Sequence, residues 1–315
     1  MWAKVLWRGG VVAAVVAVQG ALLSGVAHAA TDNVFLNGTV VHYEAGSLGN
    51  TVKITRSGTN IIIDSTEALD AGAGCWGLDR SRVACADGGV TAVRVDGNGG
   101  NDIMTSQIEL PVSFWGGDGD DTLTGGPGDD TLRGEGDSDK MSGGTGRDAV
   151  SYYGRVSDVH ADLDGASGDD GYIGEGDTIG SDVEELYGGT GDDTLVGNVS
   201  ANYINGNEGN DTIRGGGGED TIHGSVGDDW IEGDAGDDRL YGDGGNDTLR
   251  GDDHNDVLSG GPDDDVLQGG NGEDVLLGEA GNDDLNGNGG LDLLDGGPDG
   301  DLCFDLTPWV QMSCE

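Results

Sequence analysis

Positive charge is scarce in this chain. Fourteen Lys and Arg stand against sixty Asp and Glu, for a net charge of −46. That deficit argues against nucleic acid and anionic membrane surfaces as partners, because both repel a polyanion. Signatures of catalysis are missing too. There is no His-Glu-x-x-His zinc motif and no Gly-x-Ser-x-Gly nucleophile elbow. Beyond the N-terminal leader the histidines are His42, His160, His223 and His254, and they are scattered. His223 and His254 fall where surface and turn residues are expected. A non-catalytic protein is therefore expected, with an extracellular hydrolase as the weaker alternative.

Long apolar runs are confined to the N-terminus. Residues 1–29 carry Lys4 and Arg8, an apolar stretch over 11–23, and Ala27-His28-Ala29 as a cleavage site. This is the pattern of a secretory signal peptide; the run is short for a membrane anchor. Its removal predicts a secreted, extracellular protein that keeps no membrane contact. Cysteine is sparse as well. Four cysteines allow three pairings, and the close spacing of Cys75 with Cys85 and of Cys303 with Cys314 favours the two local bridges. No His stands near either pair at zinc-like spacing. The second bridge would pin the tail over an otherwise open edge.

What the chain has in abundance is glycine, 65 residues, and an unbroken nine-residue period over 188–304. The frame is Gly-Gly-x-Gly-x-Asp-x-apolar-x, as in Gly188-Gly189-Thr190-Gly191-Asp192-Asp193-Thr194-Leu195-Val196. Thirteen copies follow one another there, four more begin at Gly116, Gly125, Gly134 and Gly143, and a lone copy surrounds Asp102. Glycine at positions 1, 2 and 4 suits positive φ or close backbone approach. Four copies carry Asp137, His254, Asp263 or Asp299 at position 4, residues that tolerate the left-handed region. Position 8 is the regularly apolar one, from Leu195 and Ile204 to Leu294. A three-residue strand would turn position 8 inward and positions 7 and 9 to solvent.

One inward side chain per repeat is a thin core, contributing about 1.5–3 kcal/mol each. The acidic loops work against it. Carboxylates about 5 Å apart repel by about 0.8 kcal/mol per pair even at the dielectric of water. Summed along a roll, this rivals the whole stability of a domain. A hard divalent cation would reverse the sign, and Asp oxygens with turn carbonyls suit Ca²⁺.

The period closely resembles the RTX, or haemolysin-type, calcium-binding repeats. The resemblance implies an all-β parallel β-roll with two nonapeptides per turn. Loops two repeats apart would then share Ca²⁺ through backbone carbonyls and the position-6 Asp. It carries metal-ligand roles to Asp102, Asp121, Asp130, Asp139 and Asp148 in the first block. In the main roll one edge would hold Asp193, Asp211, Asp229, Asp247, Asp265, Asp283 and Asp301. The other would hold Asp220, Asp238, Asp256, Asp274 and Asp292, with Asn202 as the exception. Multiple Ca²⁺ ions and folding on binding are expected. Members often trail a catalytic domain, but nothing upstream here is large enough for one.

The organisation reads as a signal peptide over 1–29, a β-rich cap over 30–95 and a first repeat block over 96–151. A spacer over 152–187, the main roll over 188–304 and a tail over 305–315 follow. In the cap, segments 39–43, 51–55, 60–64 and 90–95 read as strands. In the spacer, 156–163 and 183–187 read as strands, and its many Asp residues as solvated acid. Outward positions are left for specificity. Val257, Val275, Leu277 and Leu293 form a candidate apolar stripe for an extracellular or cell-surface partner, as in a scaffold or adhesin. An ice-binding Thr ladder does not fit, because Trp230 and Val266 interrupt it.

Overall fold

The computed structural model describes residues 32–305 and 311–314. The expected leader, residues 1–29, lies outside them. The described residues form only strands, bridges and turns, without a helix. They wind as the expected parallel roll. Each strand of a repeat pairs with the strand two repeats later, so Tyr203–Glu208 pairs in parallel with Thr221–Val226 and that with Arg239–Gly244. Alternate strands belong to opposite sheets. Position-8 side chains from both sheets meet inside, and Leu195, Ile204, Ile213, Ile222 and their successors to Leu294 are fully buried.

Strands are longer than the three residues expected. Most repeats form six, spanning positions 7 to 3, as in Thr212–Gly217 and Val275–Ala280. Alternation explains the extension: positions 8 and 1 both point inward, and position 1 is glycine, so it fills the wall without needing core volume. The glycine positions therefore have separate reasons. Position 1 requires close approach. Positions 2 and 4 take positive φ, including non-glycines such as Asp234 and Asp243 (φ 69° each). At position 4, the non-glycine residues Asp137, His254, Asp263 and Asp299 have φ of 72°, 86°, 87° and 98°; Ser200, in the copy that also lacks the Asp, is not among the positive-φ residues. At position 2 the strained residue often bonds back to position 9 of the preceding coil. Ser225 Oγ bonds Asn205 (3.1 Å), Asp243 meets His223 Nδ1 (2.8 Å), and Glu279 accepts from Ser259 (2.7 Å).

The N-terminal segment builds onto both sheets. Val40–Glu44 runs parallel to Ala92–Asp96, and Thr51–Ser57 parallel to Ile103–Ser106. Beyond them the pairing turns antiparallel, through Asp32–Asn37 on one sheet and Asn60–Ser65, Arg82–Ala86 and Cys75–Gly77 on the other. Sequence reading missed Asp32–Asn37, Leu69–Ala71, Cys75–Gly77 and Arg82–Ala86. Two of these, Leu69–Ala71 and Cys75–Gly77, are short edge strands, where one neighbour is absent and the burial pattern is weak. Both local disulfides form, Cys75–Cys85 and Cys303–Cys314. They staple opposite ends of the structure, and Gln311–Ser313 adds to Leu293–Asp295 at the C-terminal edge.

The spacer both continues and interrupts the roll. One sheet of fifteen strands runs the length of the molecule, with Glu185–Tyr187 joining Ala149–Ser151 to Tyr203–Glu208. The other face is split into sheets of eight and nine strands. One ends at Thr178–Ile179, and the next begins around Val159–Asp162 and its antiparallel partner Gly171–Tyr172.

Candidate metal centre

The position-6 Asp sits where one strand begins after a tight turn, at an edge of the roll. Its backbone N–H donates to the carboxylate one coil further on. Asp193 N–H reaches Asp211 Oδ1 at 2.8 Å, Asp211 N–H reaches Asp229 at 2.7 Å, and Asp220 N–H reaches Asp238 at 2.8 Å. This ladder of charge-assisted bonds continues to Asp283 and Asp301. In the first block Asn50 precedes Asp102, Asp102 precedes Asp121, and Asp121 precedes Asp139. The bond explains why the residue is short and acidic: it must accept at one oxygen inside the coil spacing.

The second oxygen has no such partner. Oδ2 is buried without a hydrogen-bond donor in Asp102, Asp121, Asp130, Asp139 and Asp148, and in every position-6 Asp from Asp211 to Asp301. It points at the position-1 glycine of its own repeat. A Cβ on Gly206 or Gly242 would run into Oδ2 of Asp211 or Asp247, and into the carbonyl oxygen of Gly224 or Gly260 in the next coil. Position-4 carbonyls make a separate close approach, to the position-4 glycine of the next coil; that of Gly191 abuts Gly209. Each loop thus gathers an orphaned carboxylate oxygen and backbone carbonyls in a cradle only glycine leaves open. An all-oxygen donor set of this kind fits Ca²⁺.

Burial pushes many of these carboxyls up, and the accepted N–H only partly offsets it. Asp121, Asp148, Asp238, Asp247 and Asp274 rise to about 6. Asp102, Asp130, Asp211, Asp220 and Asp265 rise to about 7. Asp139, Asp229 and Asp256 rise to about 8, with neighbouring Asp charges adding to burial. A cation beside Oδ2 would act in the opposite direction.

Two loops of the main roll depart from this pattern. Asp193 Oδ2 accepts the N–H of Gly189 at 2.6 Å, and Asn202 Oδ1 accepts the N–H of Asn198 at 2.8 Å. Two further residues take the ladder role without having been recognised in the sequence. Asp177 Oδ1 accepts the Asp139 N–H at 2.9 Å, and Glu184 accepts the Asp148 N–H at 2.9 Å. Their signal was the short run of acid, any residue, apolar: Asp177-Thr178-Ile179 and Glu184-Glu185-Leu186. Without the glycines around it, that run is too common to recognise.

A second, outer ladder was also missed. Position-5 side chains accept from the coil that follows, reversing the direction of position 6. Asn210 N–H bonds Asp192, Asp228 N–H bonds Asn210, and Asn246 N–H bonds Asp228, each at 2.8 Å. Asp and Asn alternate from Asp192 to Asn282 at eighteen-residue spacing. The alternation keeps like charges from stacking on adjacent coils, and it was legible in the sequence. Within the spacer, Asp162, Asp164 and Asp169 converge with carboxylate oxygens within 4.8 Å of one another, on a mostly exposed surface.

A family model for the RTX calcium-binding nonapeptide repeat, four copies long, matches residues 115–150, 180–213, 187–222, 214–249, 250–285 and 268–303. No curated protein matches the chain. The matched segments cover just over half of the sequence and include the loops that hold the orphaned oxygens from Asp121 to Asp301; the Asp102 loop lies outside them. The chain belongs to the RTX calcium-binding nonapeptide repeat family and is a calcium-binding protein.

Proposed function

We propose that this is a secreted, non-catalytic protein that binds several Ca²⁺ ions along the two edges of its roll and folds as it binds them. The observation that carries this reading is the set of buried Oδ2 atoms without donors, from Asp102 to Asp301. An unsatisfied buried polar atom costs about 1–3 kcal/mol, more when charged. Repeated along both edges, that exceeds the ~5–15 kcal/mol that holds a domain together. The ligands would be the position-6 Asp residues with an orphaned Oδ2, with turn carbonyls completing each site. When bound, Ca²⁺ supplies the positive charge that lets these carboxylates stay ionised while buried.

Secretion is supported by the leader pattern in residues 1–29 and by two disulfides, which persist in oxidising compartments. The division into cap, first block, spacer, main roll and tail belongs to the same proposal. A far-UV circular dichroism titration tests it. The expected result is a large, cooperative gain of β signal with Ca²⁺. Full β signal in excess EGTA would sink the folding claim.

A second reading, a Ca²⁺-dependent partner binder, is favoured by the difference between the two outward faces of the main roll. One face carries an ion ladder in which Glu232 meets both Arg214 and Arg250. The other carries Tyr187, Tyr203, His223 and Tyr241 in ring contact, then the stripe of Val257, Val275, Leu277 and Leu293. Capture of a defined cell-surface component in Ca²⁺, lost in Val275→Lys, would support this reading. Equal capture by the variant would remove it.

A further inference from the structure

The roll does not need a cation everywhere along its length. Around the spacer, the groups that elsewhere leave an oxygen orphaned are closed by donors of the protein itself. Asp177 has the Asp139 N–H on Oδ1 and the Tyr152 hydroxyl on Oδ2 at 3.0 Å. Asp170 has the N–H of Asp162 at 2.7 Å and of Ile179 at 2.9 Å. Asp193 has the N–H groups of Val159 and Gly189, and Asn202 replaces the carboxylate by an amide. None of these four is among the side chains with orphaned oxygens.

A second observation is independent of the first. Between Val150 and Leu195 the buried apolar residues are Val150, Tyr152, Val159, Ala161, Leu163, Ile179, Val183, Leu186 and Leu195. That is denser than the one side chain per nine residues of the repeats. Beside it, Arg155 pairs with Glu175 at 2.9 Å and its N–H bonds the Tyr152 carbonyl at 2.9 Å. The segment 151–179 is also the part between the two arrays that the family model leaves unmatched.

We propose that residues 150–202 are a metal-independent joint, in which the Tyr152 hydroxyl does for Asp177 what Ca²⁺ does for the loops on either side. The proposal rests on the calcium reading for the flanking loops. It divides the chain into two calcium arrays that close separately onto a segment already folded. The main array then orders outward from Tyr203–Glu208, the first repeat strand paired to the joint.

Hydrogen exchange of the full chain, read by mass spectrometry on short peptides, tests this. In excess EGTA, peptides covering 159–163 and 183–196 should exchange on the order of tenfold or more slower than those covering 230–285. On adding Ca²⁺ in steps, protection should reach 203–226 before 275–295. Exchange of the joint as fast as the repeats in EGTA overturns the proposal. So does protection that spreads from the C-terminal end. Tyr152→Phe separates the hydroxyl from simple packing. The variant should lose joint protection in EGTA and regain it with Ca²⁺. Loss in both conditions would show a packing role only, and no loss in either would show that the hydroxyl does not matter; both refute the substitute role. If Ca²⁺ leaves 230–285 unprotected, the calcium reading fails, while the EGTA comparison still judges the joint.

Discussion

The N-terminal segment and the main roll use the same strands and sheets but are held together differently. In the N-terminal segment, Val52 and Ile54 lie two apart on one strand, Ile61 and Ile63 on the next, and Val83 and Cys85 on a third, all fully buried. Each of these three strands contributes at least two core side chains. A strand of the main roll contributes one, opposite a glycine, and leaves a carboxylate oxygen without a donor. The first region resembles an ordinary small β domain. The second is a scaffold for cation sites with a minimal seam of Leu and Ile. Apolar burial stabilises one, and electrostatics decides the state of the other.

The largest expected effect is on the seam. Leu249→Ala in the roll and Ile63→Ala in the cap should each cost about 2–5 kcal/mol. In the roll, raising Ca²⁺ should recover much of the loss, because ligand binding adds to stability by mass action. In the cap it should not. Equal recovery in thermal melts at low and high Ca²⁺ would erase the distinction between the regions.

A medium effect is expected from pH. Position-6 carboxyls such as those of Asp121, Asp211 and Asp229 have folded-state values raised from 3.8 to about 6, 7 and 8, chiefly by burial. Their contribution to the metal-free fold is therefore fully present below about pH 4 and lost as pH rises through about 6–8. In EGTA, acidification from pH 8 to 4.5 should increase the β signal of the roll. In Ca²⁺ the direction reverses for binding: the half-saturating concentration should rise as pH falls from 8 to 6, since protons and Ca²⁺ compete. A metal-free β signal that falls on mild acidification would contradict the burial argument.

Blocking a single cradle should have a smaller, local effect. Gly242→Ala places a Cβ against Asp247 Oδ2 and the Gly260 carbonyl. Calorimetry should show one or two fewer ions bound, with the rest of the array retained. The substitution Gly38→Ala, in the cap, meets no neighbour within 4 Å but has φ of 63°. It should lower stability by about 1 kcal/mol through backbone strain alone, with ion count unchanged. The smallest change is expected from Val275→Lys on the outward face, within about 0.5 kcal/mol in stability.

Much of this was legible because the repeat is periodic. Nine residues with one apolar position and one Asp leave few other ways to wind a chain, so the roll, its seam and its edges follow from the spacing. The joint was not legible for the opposite reason. Asp177 and Glu184 enter the ladder without a frame around them, and Tyr152 finds Asp177 across 25 residues of irregular chain. The cap lies between these cases: its central strands alternate clearly, while Leu69–Ala71 and Cys75–Gly77 are short edge strands with little burial to mark them.

The amino-acid sequence by itself determined the period, the family, the inward row and the acid rows, because each depends only on residue type at a fixed interval. Which oxygen of each Asp is satisfied and which is left without a donor was decided by the tertiary structure. The coil spacing brings one backbone N–H to Oδ1 and turns Oδ2 toward a glycine, and no spacing along the chain encodes that choice. The same holds for the loops at Asp177, Asp193 and Asn202, where a hydroxyl or a peptide N–H arrives from a distant or turned segment and closes the site without metal.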